Sequence, residues 1–127
     1  MKFRFIFLMP AMLCIFSVTA RAHHGQARYD TTQITVNGTV TEFQFLNPHA
    51  EVYFDVKDND GRVKKWVGEA SSPNMLVREG WTRNSIKPGD RISVIGHPAR
   101  DGSNNIFLEK LVLPNGQELK PHPRWQA

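Results

Sequence analysis

Downstream of residue 33, apolar and polar residues alternate in short runs, and turn-forming residues separate one run from the next. Alternation with a period of two residues is typical of β-strands that bury one face. The pattern predicts five strands, at residues 34–45, 51–57, 62–69, 91–96 and 105–113. In the first strand Val40 and Phe43 have opposite parity, so a bulge near Thr41 and Glu42 is expected to turn both side chains inward.

One segment between the third and fourth strands interrupts the alternation. Ser72 is a suitable N-cap, Pro73 suits the first helical position, and Gly80 suits the end of a helix. The residues between them include three consecutive apolar side chains. This segment therefore predicts a short helix at residues 73–79.

The order of these elements indicates the fold. Three meandering strands, a short helix and two further strands are the arrangement of the oligonucleotide/oligosaccharide-binding (OB) barrel. We therefore predict an all-β fold, a small five-stranded OB-like Greek-key barrel with one short helix between strands three and four. A plain β-sandwich is the alternative.

Residues 1–22 differ from the rest of the chain. They contain Lys2 and Arg4, an apolar stretch from residue 5 to residue 18, and small residues at Ala20 and Ala22. These are the features of a secretory signal peptide. We expect a periplasmic protein with no transmembrane segment in the mature chain. The predicted parts are a signal peptide (1–22), an N-terminal segment (23–33), an OB-like barrel domain (34–119) and a polar C-terminal tail (120–127).

Removal of the signal peptide changes the charge of the protein. The chain of 127 residues has a formal charge of +4, but residues 1–22 include three cations and no acid, so the mature charge is +1. A nearly neutral chain lacks the basic surplus typical of nucleic-acid binding, and no nucleic-acid partner is expected. The single cysteine, Cys14, is removed with the signal, which excludes disulfides and thiolate ligands in the mature chain.

Short motifs occur along the whole mature chain. In chain order they are His23-His24, Tyr29-Asp30, Gly38-Thr39-Val40, Asn47-Pro48-His49-Ala50, Ser72-Pro73-Asn74, Gly80-Trp81 and Lys87-Pro88-Gly89-Asp90. With these motifs the sequence resembles the bacterial exported family catalogued as domain of unknown function 6152. The resemblance implies a small, barrel-like secreted protein of a mostly Gram-negative family, and it implies no particular activity.

The mature N-terminus has the clearest potential for chemistry. Cleavage after Ala22 makes His23 the first residue, so its α-amino nitrogen and its ring Nδ1 can chelate one metal ion. His24 lies beside it, and a further imidazole can complete a nitrogen-rich site. In-plane ligation by nitrogen atoms favours Cu(II). We therefore predict a copper site at His23 and His24.

Two alternatives remain open at this terminus. Cleavage after Ala20 gives a chain that begins Arg21-Ala22-His23, in which the amine, two backbone amides and the imidazole suit square-planar Cu(II) or Ni(II). Otherwise the two histidines belong to a frayed, solvated segment and bind nothing.

His49 is the best internal candidate for a third metal ligand. It lies in the loop between strands one and two, from which OB-like barrels commonly contact ligands. Alternatively, its ring caps the turn at Asn47-Pro48 through a backbone hydrogen bond. His97, at the end of strand four, and His122, in the tail, are weaker candidates. The sequence does not determine whether His49 lies near His23.

A second candidate site needs no metal. It combines the loop after strand one with an aromatic patch, and its residues are Asn47, Tyr53 and Trp66. The competing interpretation places most aromatic side chains in the core and leaves Tyr53 as the most exposed. Trp81 is expected to close one end of the barrel.

Catalysis has little support in the sequence. Ser71 and Ser72 lack the context of a nucleophile, and the acids fall mostly in turns and at outward strand positions. We therefore expect a binding module, not an enzyme. Its most concrete function is Cu(II) binding or delivery through His23, His24 and His49. The alternative is a metal-free module for a periplasmic partner protein or a small ligand.

Overall fold

The computed structural model describes residues 25–122. The elements in chain order are a 3₁₀ turn (Gln26–Arg28), β1 (Ile34–Gln44), β2 (Glu51–Lys57), β3 (Val63–Glu69), α1 (Pro73–Arg78), β4 (Arg91–Pro98), β5 (Asn105–Val112) and β6 (Glu118–Leu119). No helix in this part of the chain is long and apolar enough to cross a membrane.

Strands β1–β5 close into a barrel. The sheet order is β3-β2-β1-β4-β5-β6, and β3 also pairs in parallel with β5. This second pairing joins the two ends of the five-stranded sheet, so the predicted OB-like barrel is confirmed and the sandwich alternative is wrong. The two-residue β6 was not predicted and extends the sheet beside β5.

The predicted bulge in β1 is present. The pairing of β1 with β2 shifts register between Val40 and Glu42. As a result Val40 is buried, and Phe43 packs against the same core from the opposite parity. Strand β4 continues two residues beyond the predicted end at Gly96. The alternation ends at Gly96 in the sequence, but pairing with β5 continues to Pro98.

The barrel interior is filled by alternate side chains of the five strands together with side chains from α1 and the segment after it. The most deeply buried are Val40, Val52, Phe54, Leu76, Trp81, Ile86, Val94, Ile106, Leu108 and Leu111. Trp81 is only 1% exposed, and its ring lies 6.1 Å from that of Phe43. Trp81 is therefore a core residue, as expected of a side chain that closes one end of the barrel.

Helix α1 begins at the predicted Pro73 and ends at Arg78, one residue before the predicted end. Ser72 occupies the N-cap position, but its side chain makes no capping hydrogen bond. At the other end Gly80 has a φ of 85°, which a residue with a side chain rarely adopts. The Trp81 N–H then donates to the Leu76 carbonyl at 3.0 Å, as in a Schellman motif. This turn directs Trp81 back into the core.

Gly96 lies where β4 and β5 approach each other most closely. A Cβ at this position would lie 2.0 Å from the backbone oxygen of Phe107, a contact that no side-chain rotation relieves. We expect Gly96→Ala to lower the free energy of unfolding by about 1 to 3 kcal/mol, measured by urea denaturation. Gly25→Ala is the control, since nothing lies within 4 Å of a Cβ there. Equal stability of the two variants would contradict the described pairing.

Candidate functional site

Four paired residues cross the outside of the barrel. Glu51 of β2 pairs with Glu69 of β3, Glu69 pairs with Phe107 of β5, and Phe107 pairs with His97 of β4. Paired residues on neighbouring strands point to the same side of a sheet. Because Ile106, the neighbour of Phe107, is buried in the core, these four side chains face away from it. We call Glu51, Glu69, Phe107 and His97 the outer row.

The segment before β1 packs on this row. Tyr29 forms an isolated bridge with Ala99, and its ring centroid lies 5.5 Å from that of Phe107. These three residues form a small second core outside the barrel. The Arg100 N–H donates to the Arg28 carbonyl at 2.9 Å, and its Nε donates to the Tyr29 carbonyl at 2.8 Å. The described part of the N-terminal segment is thus fixed to the barrel.

The Glu69 carboxylate connects this segment to the loop between β1 and β2. The Tyr29 hydroxyl donates to Oε2 at 2.6 Å, and Nδ1 of His49 lies 3.1 Å from Oε1. A carboxylate can only accept, so the Nδ1 of His49 donates to Glu69, and its Nε2 is the ring nitrogen on the other side. Burial, with the bond to Glu69, raises the pKa of Tyr29 well above its usual range. Its hydroxyl therefore stays a donor at neutral pH.

His122 lies on the same side of the barrel. Its ring stacks on Phe107, with centroids 4.0 Å apart and planes 15° from parallel. Burial lowers the pKa of His122 to about 4; the charge of His49 also lowers it, and a hydrogen bond to the Glu69 backbone opposes the shift. The ring is therefore neutral at pH 7. Its Nε2 is buried and has no hydrogen-bond partner among the described residues.

His97 is held by a different acid. Its Nε2 lies 3.3 Å from Oε1 of Glu109, and the Gln33 amide donates to the other carboxylate oxygen at 3.4 Å. The His97 side chain is only 5% exposed. In the outer row Phe107 stands between His97 and Glu69. His97 therefore belongs to a separate contact that helps to hold the segment before β1.

The residues predicted for metal-free binding are only partly brought together. Tyr53 and Trp66 line one groove of about 250 Å³ on the surface of β1–β3, with Glu42 and Lys65 among the other lining residues. Asn47 is exposed in the loop between β1 and β2 and is not among the residues that line this groove. The two predicted aromatic residues therefore line the same groove, and the third predicted residue, Asn47, does not.

Both aromatic residues of the groove also have structural contacts. Trp66 packs against the core and stacks on Phe54 at 6.3 Å, while its Nε1 is buried without a partner among the described residues. The Tyr53 hydroxyl donates to Glu51, and this bond raises the pKa of Tyr53 to about 12. The core interpretation therefore holds for Trp66, and Tyr53 is half-buried.

The remaining predicted ligands, His23 and His24, lie outside the described residues. Within residues 25–122, no three His, Cys, Asp or Glu side chains come together in a way that could hold a metal ion. The described part of the chain thus contains the candidate ligand His49 and its partner Glu69, but it does not contain a complete set of metal ligands.

The sequence places Tyr29 in a motif of the family resemblance, but neither Tyr29 nor Glu69 is predicted as a site residue. Glu69 is the last residue of an alternating strand, where a charged side chain is ordinary, and Tyr29 precedes the predicted barrel. The two are 40 residues apart and meet only because the N-terminal segment folds over the outer row. The one available signal was Tyr29 itself, an aromatic residue in an otherwise polar segment.

Comparison with solved structures agrees with the barrel fold. The structure superposes on the mitochondrial single-stranded DNA binding protein Rim1 of S. cerevisiae with a TM-score of 0.51 and 11% identity, covering 67% of this chain and 95% of that one. A selenomethionine-labelled form of Rim1 gives a TM-score of 0.45 and 13% identity, over 73% and 99%. A tRNA fluorescent labeling enzyme gives 0.43 and 22%, over 64% of this chain and 17% of that one.

Fold and comparisons define the chain as an OB-fold protein, and identities this low establish the fold alone. No curated protein matches the sequence. The chain belongs to the Family of unknown function (DUF6152), whose profile matches residues 11–107.

The bond between Tyr29 and Glu69 can be tested by Tyr29→Phe, which keeps the ring on Phe107 and removes the hydroxyl. We expect a loss of about 1 to 2 kcal/mol in unfolding free energy, because a charged acceptor loses its donor. Hydrogen exchange of the Asp30 amide, which bonds to the Pro98 carbonyl, should accelerate as the segment loosens.

Tyr53→Phe is the matched control, since it also removes a tyrosine–glutamate bond but one between residues of the same strand. Exchange at Asp30 should not change in that variant. If Tyr29→Phe leaves Asp30 as protected as before, the hydroxyl does not hold the segment.

Proposed function

We propose that the chain is exported to the periplasm and that its mature form binds or delivers Cu(II), with His23 and His24 as N-terminal ligands and His49 as a third. The observation that best supports this is the Glu69 carboxylate, which contacts both Tyr29 and His49. One side chain thus connects the start of the described chain to the best internal candidate ligand.

The chemistry of the terminus favours copper. An unperturbed α-amino group has a pKa of about 8 and an imidazole one of about 6.5, so both give up a proton to a metal at small cost near neutral pH. When His23 is the first residue, one residue supplies both nitrogens. Ligation by nitrogen alone favours Cu(II), which also leads the affinity order of the divalent first-row metals.

The length of chain before Tyr29 allows the terminus to meet His49. His23 precedes Tyr29 by six residues, which span at most about 21 Å when fully extended. His49 has a half-exposed side chain whose Nδ1 faces Glu69, so Nε2 is the nitrogen available to a metal. A carboxylate on the other ring nitrogen is the usual arrangement for a metal-binding histidine.

The proposal depends on ligands from the terminus. Because residues 25–122 alone provide no group of three suitable side chains, the site needs nitrogens from the terminus, and we propose that His23 supplies two of them, its amine and its ring. This requirement makes the position of cleavage decisive. It also separates the proposal from one in which internal histidines bind the metal alone.

A metal-free binding module is the second candidate. Its support is the groove that Tyr53 and Trp66 line together, with an acidic and a basic side chain, Glu42 and Lys65, at its walls. A small ligand or a peptide with an aromatic or polar group would suit such a groove. In this role the histidines would have no part in binding.

Processing is tested first, because the metal site needs a free amine on His23. Mass spectrometry of the protein from the periplasmic fraction should give a chain that begins at His23. A chain that begins at Arg21 would support the alternative with histidine in third position. Retention of residues 1–22 would rule out the terminal-amine site.

Copper binding is tested on mature protein with its native terminus. We expect one Cu(II) per chain and nitrogen hyperfine structure in the electron spin resonance spectrum. One extra residue before His23 should weaken binding strongly, because the amine and the ring then lie on different residues. His49→Gln should weaken it about tenfold or more, a range seen when even an outer partner of a metal ligand is lost.

Asn47→Ala is the control for His49→Gln, since Asn47 lies in the same loop and is not a proposed metal ligand. It should leave copper affinity unchanged. The absence of binding at micromolar Cu(II) would overturn the metal proposal and leave the groove as the remaining candidate. A site that tolerates the added residue would be formed by imidazoles alone.

A further inference from the structure

A polar groove of about 490 Å³ crosses the outside of the barrel over strands β1, β2 and β4. No residue of the outer row lines it, and it shares only Asp55 with the groove of Tyr53 and Trp66. Its volume lies in the range of small-molecule sites. We call it the β1–β4 groove, and its polar lining side chains are Asn37, Thr39, Asp55, Lys57, Arg91 and Ser93.

The register of the sheet gathers these polar side chains on one face. Thr39 pairs with Asp55 of β2 and with Arg91 of β4, and Asn37 pairs with Ser93 of β4. Paired residues on neighbouring strands point to the same side of a sheet. The apolar residues that alternate with them lie in the core. Polar side chains from three strands therefore face outward together.

Gly38 lines the groove between Asn37 and Thr39. A Cβ at this position would lie 2.6 Å from the ring of Phe54 and 2.7 Å from the backbone oxygen of Asp55. The absence of a side chain therefore lets β1 lie closer to the core here than any other residue would allow. A strand in this position leaves a recess on the outer face of the sheet, which is where the groove lies.

The lining of the groove is rich in hydrogen-bond donors. The Ser93 hydroxyl donates to Oδ1 of Asn37 at 2.5 Å, so the carbonyl oxygen of this amide already accepts a bond and its NH₂ group is left to donate. Lys57 and Arg91 are exposed, and within residues 25–122 neither side chain makes an ion pair or a hydrogen bond. Two cations and one amide thus offer donors that the described residues do not use.

The charge of the lining favours an anion. Asp55 is the single acid among the described lining residues, against the two cations Lys57 and Arg91. The cross-strand partner of Asp55 on β3 is Lys65, so a further cation lies beside this acid on the side away from the groove. A carboxylate or a phosphate only accepts hydrogen bonds and forms its strongest ones with cationic donors.

Two further features favour a ligand that is more than a simple anion. The Asp55 carboxylate can accept a hydrogen bond from a hydroxyl group of the ligand. At the β5 end of the groove Val112 and Leu113 are half-buried and offer apolar surface to ring carbons. A sugar ring combines hydroxyl groups with apolar C–H surface, and an acidic substituent would match the two cations.

We infer that the β1–β4 groove binds a small acidic carbohydrate, a sugar with a carboxylate or a phosphate, with Lys57, Arg91 and the Asn37 amide at the anionic group. Asp55 accepts from a hydroxyl of the sugar. The inference is independent of the copper proposal, because no proposed metal ligand lines this groove.

The test titrates the protein with glucuronate, glucose 6-phosphate and glucose and follows the backbone amide signals by nuclear magnetic resonance. We expect the acidic sugars to shift the signals of residues 37–39 and 91–93, and glucose to shift them far less at the same concentration. A response to one acidic sugar alone would also support the inference and would identify the acidic group. Binding should weaken as salt is added, because the two cations are exposed.

Arg91→Gln and Asn37→Asp test the named contacts, and both positions are exposed, so the fold should be kept. Glutamine removes the charge of Arg91. Aspartate keeps the size of Asn37 and can still accept from Ser93, but it removes the amide donors and adds a negative charge. We expect the affinity to fall about tenfold or more in each variant, because a hydrogen bond to a charged group is lost.

Lys64→Gln is the matched control, since it removes a cation at an exposed position of β3 that does not line the groove. It should leave the affinity unchanged. Three results would overturn the inference: no shift with either acidic sugar at millimolar concentration, equal shifts with glucose, or unchanged affinity in both groove variants. None of them bears on copper binding, so the two proposals fail separately.

Discussion

The parallel pairing of β3 with β5 determines where the N-terminal and C-terminal segments of the described chain can pack on the outside of the barrel. This pairing closes the barrel and sets Glu69 beside Phe107. Neither residue contributes to the main core, because both face outward. Glu69 binds Tyr29 and His49 through its carboxylate, and Phe107 packs against Tyr29 and His122. Without the closure these partners would have no common surface.

The barrel therefore has two levels of packing. The inner core contains the alternate side chains of the strands together with Leu76 and Trp81 from the helix region. The outer cluster, formed by Tyr29, Ala99 and Phe107, is smaller, and the polar side chains of Glu69 and His122 contact its rings. Stability comes chiefly from the inner core, since buried apolar area is the main favourable contribution to folding. The outer cluster instead brings together chain segments that are distant in sequence, which is what a binding site requires.

Much of the fold was predictable because alternation is a local signal. Strand β2 was predicted at its observed bounds, and the bulge in β1 follows from the opposite parity of Val40 and Phe43. The two-residue β6 was missed because so short a strand has no alternation to detect. The extension of β4 past Gly96 was missed because a glycine ends the apolar pattern without ending the hydrogen-bonded ladder.

The candidate site was less predictable because its contacts are long-range. Alternation identifies Glu69 as an outward residue, but it does not reveal that Tyr29, 40 residues earlier, covers it. His49 is predicted because it lies in the loop between β1 and β2, whereas its partner Glu69 is not predicted. His122 is a weak candidate by sequence because it lies in a polar tail, and the backbone bonds of Lys120 and Pro121 hold that tail on the barrel.

The central claim is that one copper ion binds beside Glu69, and nuclear magnetic resonance with substoichiometric Cu(II) tests it most directly. A paramagnetic ion broadens the signals of nearby nuclei, so Tyr29, His49 and His122 should lose intensity first. The turn at Asp58–Gly61 should keep its signals, because β2 separates it from Glu51 by six residues, or about 20 Å. Broadening centred on that turn, or spread evenly over the barrel, would contradict the account.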